Sequence, residues 1–162
     1  MPFSGEVKHG IRLHRAVDSF TDQHAWVKRL KTELGPLRRY GGIIIDVLLD
    51  YHLASNFEQY HELSLSQFAQ KVYPQIEINR ELYPERFVRV CTAMCEMDWL
   101  SGYNNLANIE RAFNGISARL SRPVDLAKSL DWHQSNAHLF QQDFEAFYLE
   151  LISFARQYAR QV

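Results

Sequence analysis

The stretch Ile43-Ile44-Ile45-Asp46-Val47-Leu48-Leu49-Asp50-Tyr51-His52-Leu53 decides how this 162-residue chain is read. Three consecutive β-branched isoleucines are compatible with a strand. The length of the apolar segment and the spacing of its carboxylates argue instead for a buried helix, with Asp46 and Asp50 one turn apart on one face.

Outward from that segment the chain keeps a helical rhythm. Val7, Ile11, Leu13, Val17 and Phe20 predict a helix over 6–20. Thr21-Asp22 reads as a stop and restart, with Asp22 capping a second helix through Trp26, Val27, Leu30 and Leu34 that ends at Gly35-Pro36. Ser64 or Ser66 caps the next helix, which passes through Phe68, Val72 and Tyr73 and meets Pro74 near its end. A long helix is predicted from about Pro84 to Tyr103, with Phe87, Val90, Cys91, Met94, Trp99 and Leu100 as its stripe. Another spans 105–120, closed by Arg122-Pro123, and a last one runs from about Ser135 to Arg160. No strand-turn-strand pattern, internal repeat or glycine-rich phosphate loop interrupts this. The expected architecture is all-α, one multi-helix domain over residues 1–162.

Composition agrees with a packed core: 46% of residues are hydrophobic and 13% aromatic, far from the disordered class. A formal net charge of -1 gives no bulk attraction for nucleic acid. No apolar run reaches the roughly 18 residues of a membrane span. Cys91 and Cys95, four apart, share a helix face, where a disulfide is geometrically poor and two sulfurs alone make no zinc site. Two reduced thiols point to the cytoplasm.

Chemistry concentrates at two pairs. His14 and Asp18 stand one turn apart and can share a cation or form a hydrogen-bonded pair; an ordinary surface pair is the plain alternative. Asp46 and Asp50 interrupt an aliphatic run, where unpaired carboxylates are costly and repel each other unless a cation lies between them. Salt bridges to Arg15, Arg38 or Arg39 would be the structural explanation. His52 points away from the Asp46–Asp50 face, as a proton carrier or a packed histidine. Arg12 and Arg15 flank His14 and suit a phosphate oxyanion. Asp22 is a further ligand candidate or a helix cap. Lys28, Arg29, Lys31, Arg38 and Arg39 make a basic region, either a solvated face or a dock for an acidic partner. His9, His24, His61, His133 and His138 show no matching constellation.

Those residues carry a family resemblance. Gly10-Ile-Arg-Leu-His14-Arg15-Ala-Val-Asp18-Ser-Phe-Thr21-Asp22 resembles the Gly-Ile-x-x-His-Arg-x-Ile-Asp-x-x-Thr-Asp segment of acyl carrier protein phosphodiesterases. Asp46-Val-Leu-Leu-Asp50-Tyr51-His52-Leu53 is similar to that family's Asp-Val-x-x-Asp-His-Phe-Leu, with the histidine displaced by one. Trp99-Leu-Ser-Gly-Tyr103 and Gly115-Ile-Ser-Ala-Arg119 also resemble family segments. The family is grouped with the helical, metal-dependent HD-type phosphohydrolases.

The resemblance implies an HD-domain-like fold and hydrolysis of the phosphodiester joining 4′-phosphopantetheine to a serine of acyl carrier protein. It implies Mn²⁺ or Mg²⁺ as the ion, held by His14, Asp18, Asp46 and Asp50 with Asp22 close by. Arg15 would offset phosphoryl charge, and Asp50 or His52 would direct a proton. The basic region becomes the expected dock for the acidic carrier protein, with neither nucleic acid nor membrane as a partner. An N-terminal family segment, with an Asn-Phe-Leu-Ala-His start and a later Gly-Asn-x-x-x-Asp-Phe, is expected to be missing from this chain. Its absence would expose apolar surface through which copies of the chain could associate. A nucleotide-specific HD-type phosphohydrolase and a non-catalytic helical interaction module are the alternatives.

Overall fold

A computed structural model describes residues 5–77 and 83–161. The elements are α1 (Gly5–Gln23), α2 (Ala25–Glu33), α3 (Gly41–Ser55), α4 (Leu65–Glu77), α5 (Glu85–Glu96), α6 (Trp99–Gly102), α7 (Leu106–Ser117), α8 (Ser129–Ser135) and α9 (Ala137–Gln161). Short 3-10 turns occupy Gly35–Tyr40, Phe57–Gln59 and Leu126–Lys128. No strand occurs among the described residues, so the all-α reading holds. The chain divides into two compact units, Met1–Asp46 with Leu126–Val162, and Val47–Asp125; α3 runs from the first into the second.

In the first unit, α9 repeats phenylalanine at 140, 144 and 147, and all three are buried. Helical spacing puts them on one face, as burial of an amphipathic helix requires. Trp26 of α2 meets Phe140 edge-on at 5.8 Å and Phe147 at 5.3 Å between ring centroids. Phe20 of α1 stacks on Phe154 of α9 at 4.7 Å. The α2 helix stops where expected, at Gly35, whose φ of +55° is a left-handed turn that glycine accepts without strain. Gly41 then starts α3 hard against α2: a Cβ there would come within 3.2 Å of the Lys31 Cβ.

Three helix boundaries differ from the sequence reading. Helix α1 does not break at Thr21-Asp22 but continues to Gln23; Thr21 is buried in its last turn, and Asp22 is therefore inside a helix and is not a cap. His24 occupies the N-cap of α2 without a side-chain cap bond. The long helix over 84–103 is two helices, broken at Asp98, whose φ of 47° and ψ of 53° are left-handed. Helix α5 buries none of its residues, and Phe87 and Val90 of the expected stripe are exposed. The last segment likewise breaks at Asn136, so α9 begins at Ala137.

In the second unit, Ser64 begins α4 through a reciprocal cap. Its Oγ accepts from the Gln67 N–H at 3.3 Å, and the Gln67 side chain accepts from the Ser64 N–H at 3.0 Å. Pro74 lies inside α4. Tyr73 of that helix fixes the Asp98 break: its hydroxyl donates to the Asp98 carboxylate at 2.7 Å and accepts from the Leu100 N–H at 3.0 Å. Burial, aided by the bond to Asp98, pushes the Tyr73 phenol up to about 12. Ile109 and Phe113 of α7 are fully buried.

His133 is buried beside Phe140, with ring centroids 5.1 Å apart, and burial lowers its pKa. A depressed folded-state pKa means that the unfolded chain takes up the proton more readily. The stability that His133 contributes is complete above the ordinary value of 6.5 and is lost as pH falls through the folded value. Urea midpoints of the wild-type chain should therefore fall on acidification below pH 6.5, and His133→Leu should flatten that part of the profile. Identical slopes in the two proteins would refute the assignment.

Candidate active site

In the first unit, α1 presents His14, Asp18 and Asp22 at successive turns, with Arg12 and Arg15 exposed around them. His14 Nε2 lies 3.5 Å from Asp18 Oδ2, and both side chains are mostly exposed, at 76% and 58%. Such a pair is weak as a structural device. Asp22 Oδ1 accepts from Lys31 Nζ at 2.6 Å. Asp46, the last residue of the first unit, feels the charges of Asp22 and Asp18. Its carboxyl is raised above the ordinary range, first by burial and then by the negative charges of Asp22 and Asp18, while Lys31 opposes the shift.

Two expectations about this site need correction. Asp46 and Asp50 are exposed and do not lie in the interior; the helix buries Ile44, Ile45, Val47, Leu48 and Leu49 around them. Desolvation at Asp46 is thus partial, from the surrounding wall. The cation that Asp46 senses is Lys31, not Arg15, Arg38 or Arg39. Lys31 was legible only as part of a basic run; its role depends on Gly41 bringing α3 against α2.

Asp50 lies one turn beyond Asp46 on the same helix, in the second unit. Its charge, after burial, is the second cause that raises the Tyr103 phenol. His52 is half-buried, with its ring 5.2 Å from Tyr51, and its backbone carbonyl accepts from the Asn56 amide at 2.8 Å. Tyr103 was not singled out from the sequence as a site residue, although it closes one of the segments resembling the family.

The donors suit a hard divalent cation in kind, being carboxylate oxygens with one imidazole. Among the described residues no three His, Cys, Asp or Glu side chains already converge as a metal-binding group. The charges of Asp22 and Asp18 add to the upward shift at Asp46, after burial, and Lys31 opposes it.

The basic region is split. Arg29 is tied to Asp143 at 2.5 Å and Lys31 to Asp22, whereas Lys28, Arg38 and Arg39 are exposed. Among the described residues Lys28, Arg38 and Arg39 form no ion pair. His24 belongs to a different cluster, packed on Phe20 and Phe147 with Glu150 3.4 Å from its Nε2. Cys91 and Cys95 are not joined in a disulfide. None of the described helices is long and apolar enough to cross a membrane.

A helical scaffold bearing exposed carboxylates, an imidazole and arginines on α1 is compatible with a phosphoric diester hydrolase. Residues 1–151 match the family model described as acyl carrier protein phosphodiesterase, and the chain belongs to that family. It is 31% identical over 156 residues to the acyl carrier protein phosphodiesterase of Pectobacterium atrosepticum, covering 95% of this chain and 81% of that protein. Similar relatives of the same name occur in Klebsiella pneumoniae (30% over 157 residues, 94% of this chain and 80% of the relative) and Serratia proteamaculans (30% over 156 residues, 95% and 81%). No solved structure matches the chain.

Proposed function

We propose that the protein hydrolyses the phosphodiester between 4′-phosphopantetheine and the serine of holo acyl carrier protein, in the cytoplasm, with Mn²⁺ or Mg²⁺ as its ion. The match to the acyl carrier protein phosphodiesterase family over residues 1–151 carries the reading. The carboxylate group of Asp18, Asp22 and Asp46 supports the metal dependence, because like charges held together are relieved by a divalent cation. A bound cation would supply positive charge against the phosphodiester and acidify water.

In this reading His14, Asp18, Asp22 and Asp46 would hold the ion, with Asp22 leaving its pairing with Lys31 to do so. The guanidinium of Arg15 offsets charge developing on the phosphoryl oxygens. Asp50 orients the attacking water and takes its proton, with His52 as a relay behind it. A P–O bond to water forms as the P–O bond to serine breaks. The serine oxygen leaves with the proton that Asp50 took from water, returned through His52 or water, giving apo carrier protein and phosphopantetheine as a phosphate monoester.

The acidic carrier protein would approach the exposed cations Lys28, Arg38 and Arg39. Reversing these three to glutamate should lower kcat/KM for holo carrier protein roughly 10-fold or more at low salt, and less as salt is raised. Arg29 is omitted because it pairs within the fold. An unchanged kcat/KM at low ionic strength would remove this face from the account.

Substrate class is tested by incubating the chain with holo carrier protein and, separately, with a panel of nucleotides in the presence of Mn²⁺. Release of phosphopantetheine with no nucleotide turnover is expected. Nucleotide turnover without phosphopantetheine release would overturn the proposal.

A further inference from the structure

The second unit holds a groove of about 440 Å³, within the range of roughly 300–1,000 Å³ typical of small-molecule sites. Met97 and Trp99 form part of its wall and remain 63% and 37% exposed, so the wall presents apolar surface to a ligand. Ile116 of α7, half-buried, continues the apolar surface, with the fully buried Ile109 behind it. Both stretches beyond the acidic residues that resemble the family, 99–103 and 115–119, contribute to this one groove.

Its polar groups are arranged by the local fold. The Asn108 amide donates to the Gly102 carbonyl at 3.0 Å, and its oxygen accepts from Arg111 Nη1 at 3.0 Å. A Cβ at Gly102 would fall 2.7 Å from Asn108 Nδ2, so glycine permits this clasp. Arg119, just beyond α7, brings a second guanidinium, exposed to solvent. The one carboxylate on the wall, Asp98, is already bonded by the Tyr73 hydroxyl. Tyr103 lines the groove and feels the charge of Asp50.

We propose that this groove receives the phosphopantetheine arm of the substrate, with its dimethyl-bearing chain on the apolar wall and Arg119 and Arg111 facing its phosphate end. The proposal rests on the carrier-protein reading above and adds the residues that recognise the arm. Charge complementarity supports this occupant: a phosphodiester is anionic, and two guanidinium groups border a groove whose carboxylate is engaged elsewhere. The rest of the arm offers amide groups and aliphatic carbon, which match Asn108, Tyr103 and the apolar wall.

Gly115 gives a clean test. It lies within α7 and lines the groove, and a Cβ there would meet no atom within 4 Å. Leucine at that position places its Cβ in open space and is a better helix former than glycine. Free 4′-phosphopantetheine is titrated into the full chain, its Gly115→Leu variant and its Arg119→Ala variant, with inorganic phosphate as a control. Each variant should weaken binding of the arm about 10-fold or more, and Gly115→Leu should keep the wild-type melting temperature or exceed it. With holo carrier protein, both should raise KM by more than they lower kcat.

Wild-type arm affinity in both variants, or phosphate binding as tight as the arm, would overturn the groove assignment. Formation of apo carrier protein by the wild type is scored separately. A chain that binds the arm through Gly115 and Arg119 but makes no apo carrier protein upholds the groove while refuting the proposed activity.

Discussion

Replacing Asp46 by asparagine is expected to lower turnover of holo carrier protein roughly 100-fold or more while leaving the fold as stable as before, or more so. The two halves of that expectation share one cause. Burial and the charges of Asp22 and Asp18 raise the Asp46 pKa above its ordinary 3.8. A carboxylate with a raised folded-state pKa is unfavourable to the fold when ionised: the folded state gains from protonation, and stability drops as pH rises from 3.8 through the folded value. At neutral pH the ionised carboxylate is therefore a cost, opposed only in part by Lys31. Asparagine removes that cost and with it a hard anionic ligand. Adding Mn²⁺ should raise the melting temperature of the wild type by mass action and leave that of Asp46→Asn nearly unmoved. Loss of activity accompanied by collapse of the melting temperature would instead make Asp46 a structural residue.

The largest expected loss of stability comes from Phe140→Ala. Phe140 is fully buried and contacts three rings, Trp26 at 5.8 Å, Trp132 at 6.1 Å and His133 at 5.1 Å. Removing it forfeits the transfer energy of the side chain and leaves a cavity among rigid aromatic neighbours that relax poorly. The cost should be about 3–5 kcal/mol. For a chain of this length that corresponds to a fall of roughly 6–20 °C in melting temperature. A shift of a degree or two would mean that α9 packs less closely on α2 than described. Tyr148→Ala offers the contrast, since its side chain is only half-buried, stacked on Phe144 at 5.7 Å.

The helices were legible where periodicity and punctuation agreed. Ile43 to Leu53 is helical, Gly35 ends α2, and Ser64 begins α4, each through a cue within a few residues. The missed boundaries depend on partners far along the chain. The left-handed Asp98 is held by Tyr73, 25 residues away, and nothing local in Met97-Asp98-Trp99 announces it. Thr21-Asp22 resembles a helix start, yet Thr21 is buried and Asp22 is drawn to Lys31. At the candidate site, the one-turn spacings of His14–Asp18 and Asp46–Asp50 were readable, because a helix converts spacing directly into proximity. The influence of Asp18 and Asp22 on Asp46 was not readable from spacing, since these residues lie on different helices and the start of α3 is placed by the close approach of Gly41 to α2. Nor was the exposure of Asp46, because an aliphatic run does not reveal which narrow stripe of a helix stays outside.

In the proposed reaction the carboxylates around Asp46 serve to remove phosphopantetheine from a carrier protein. The intact mass of holo acyl carrier protein, recorded before and after incubation with the chain and Mn²⁺, tests it most directly. The wild type should convert the holo form to apo carrier protein, with the serine hydroxyl restored and 4′-phosphopantetheine in solution, and Asp46→Asn should leave the holo mass in place. A holo mass unchanged by folded, Mn²⁺-supplied wild type, or converted equally fast by Asp46→Asn, would contradict the account.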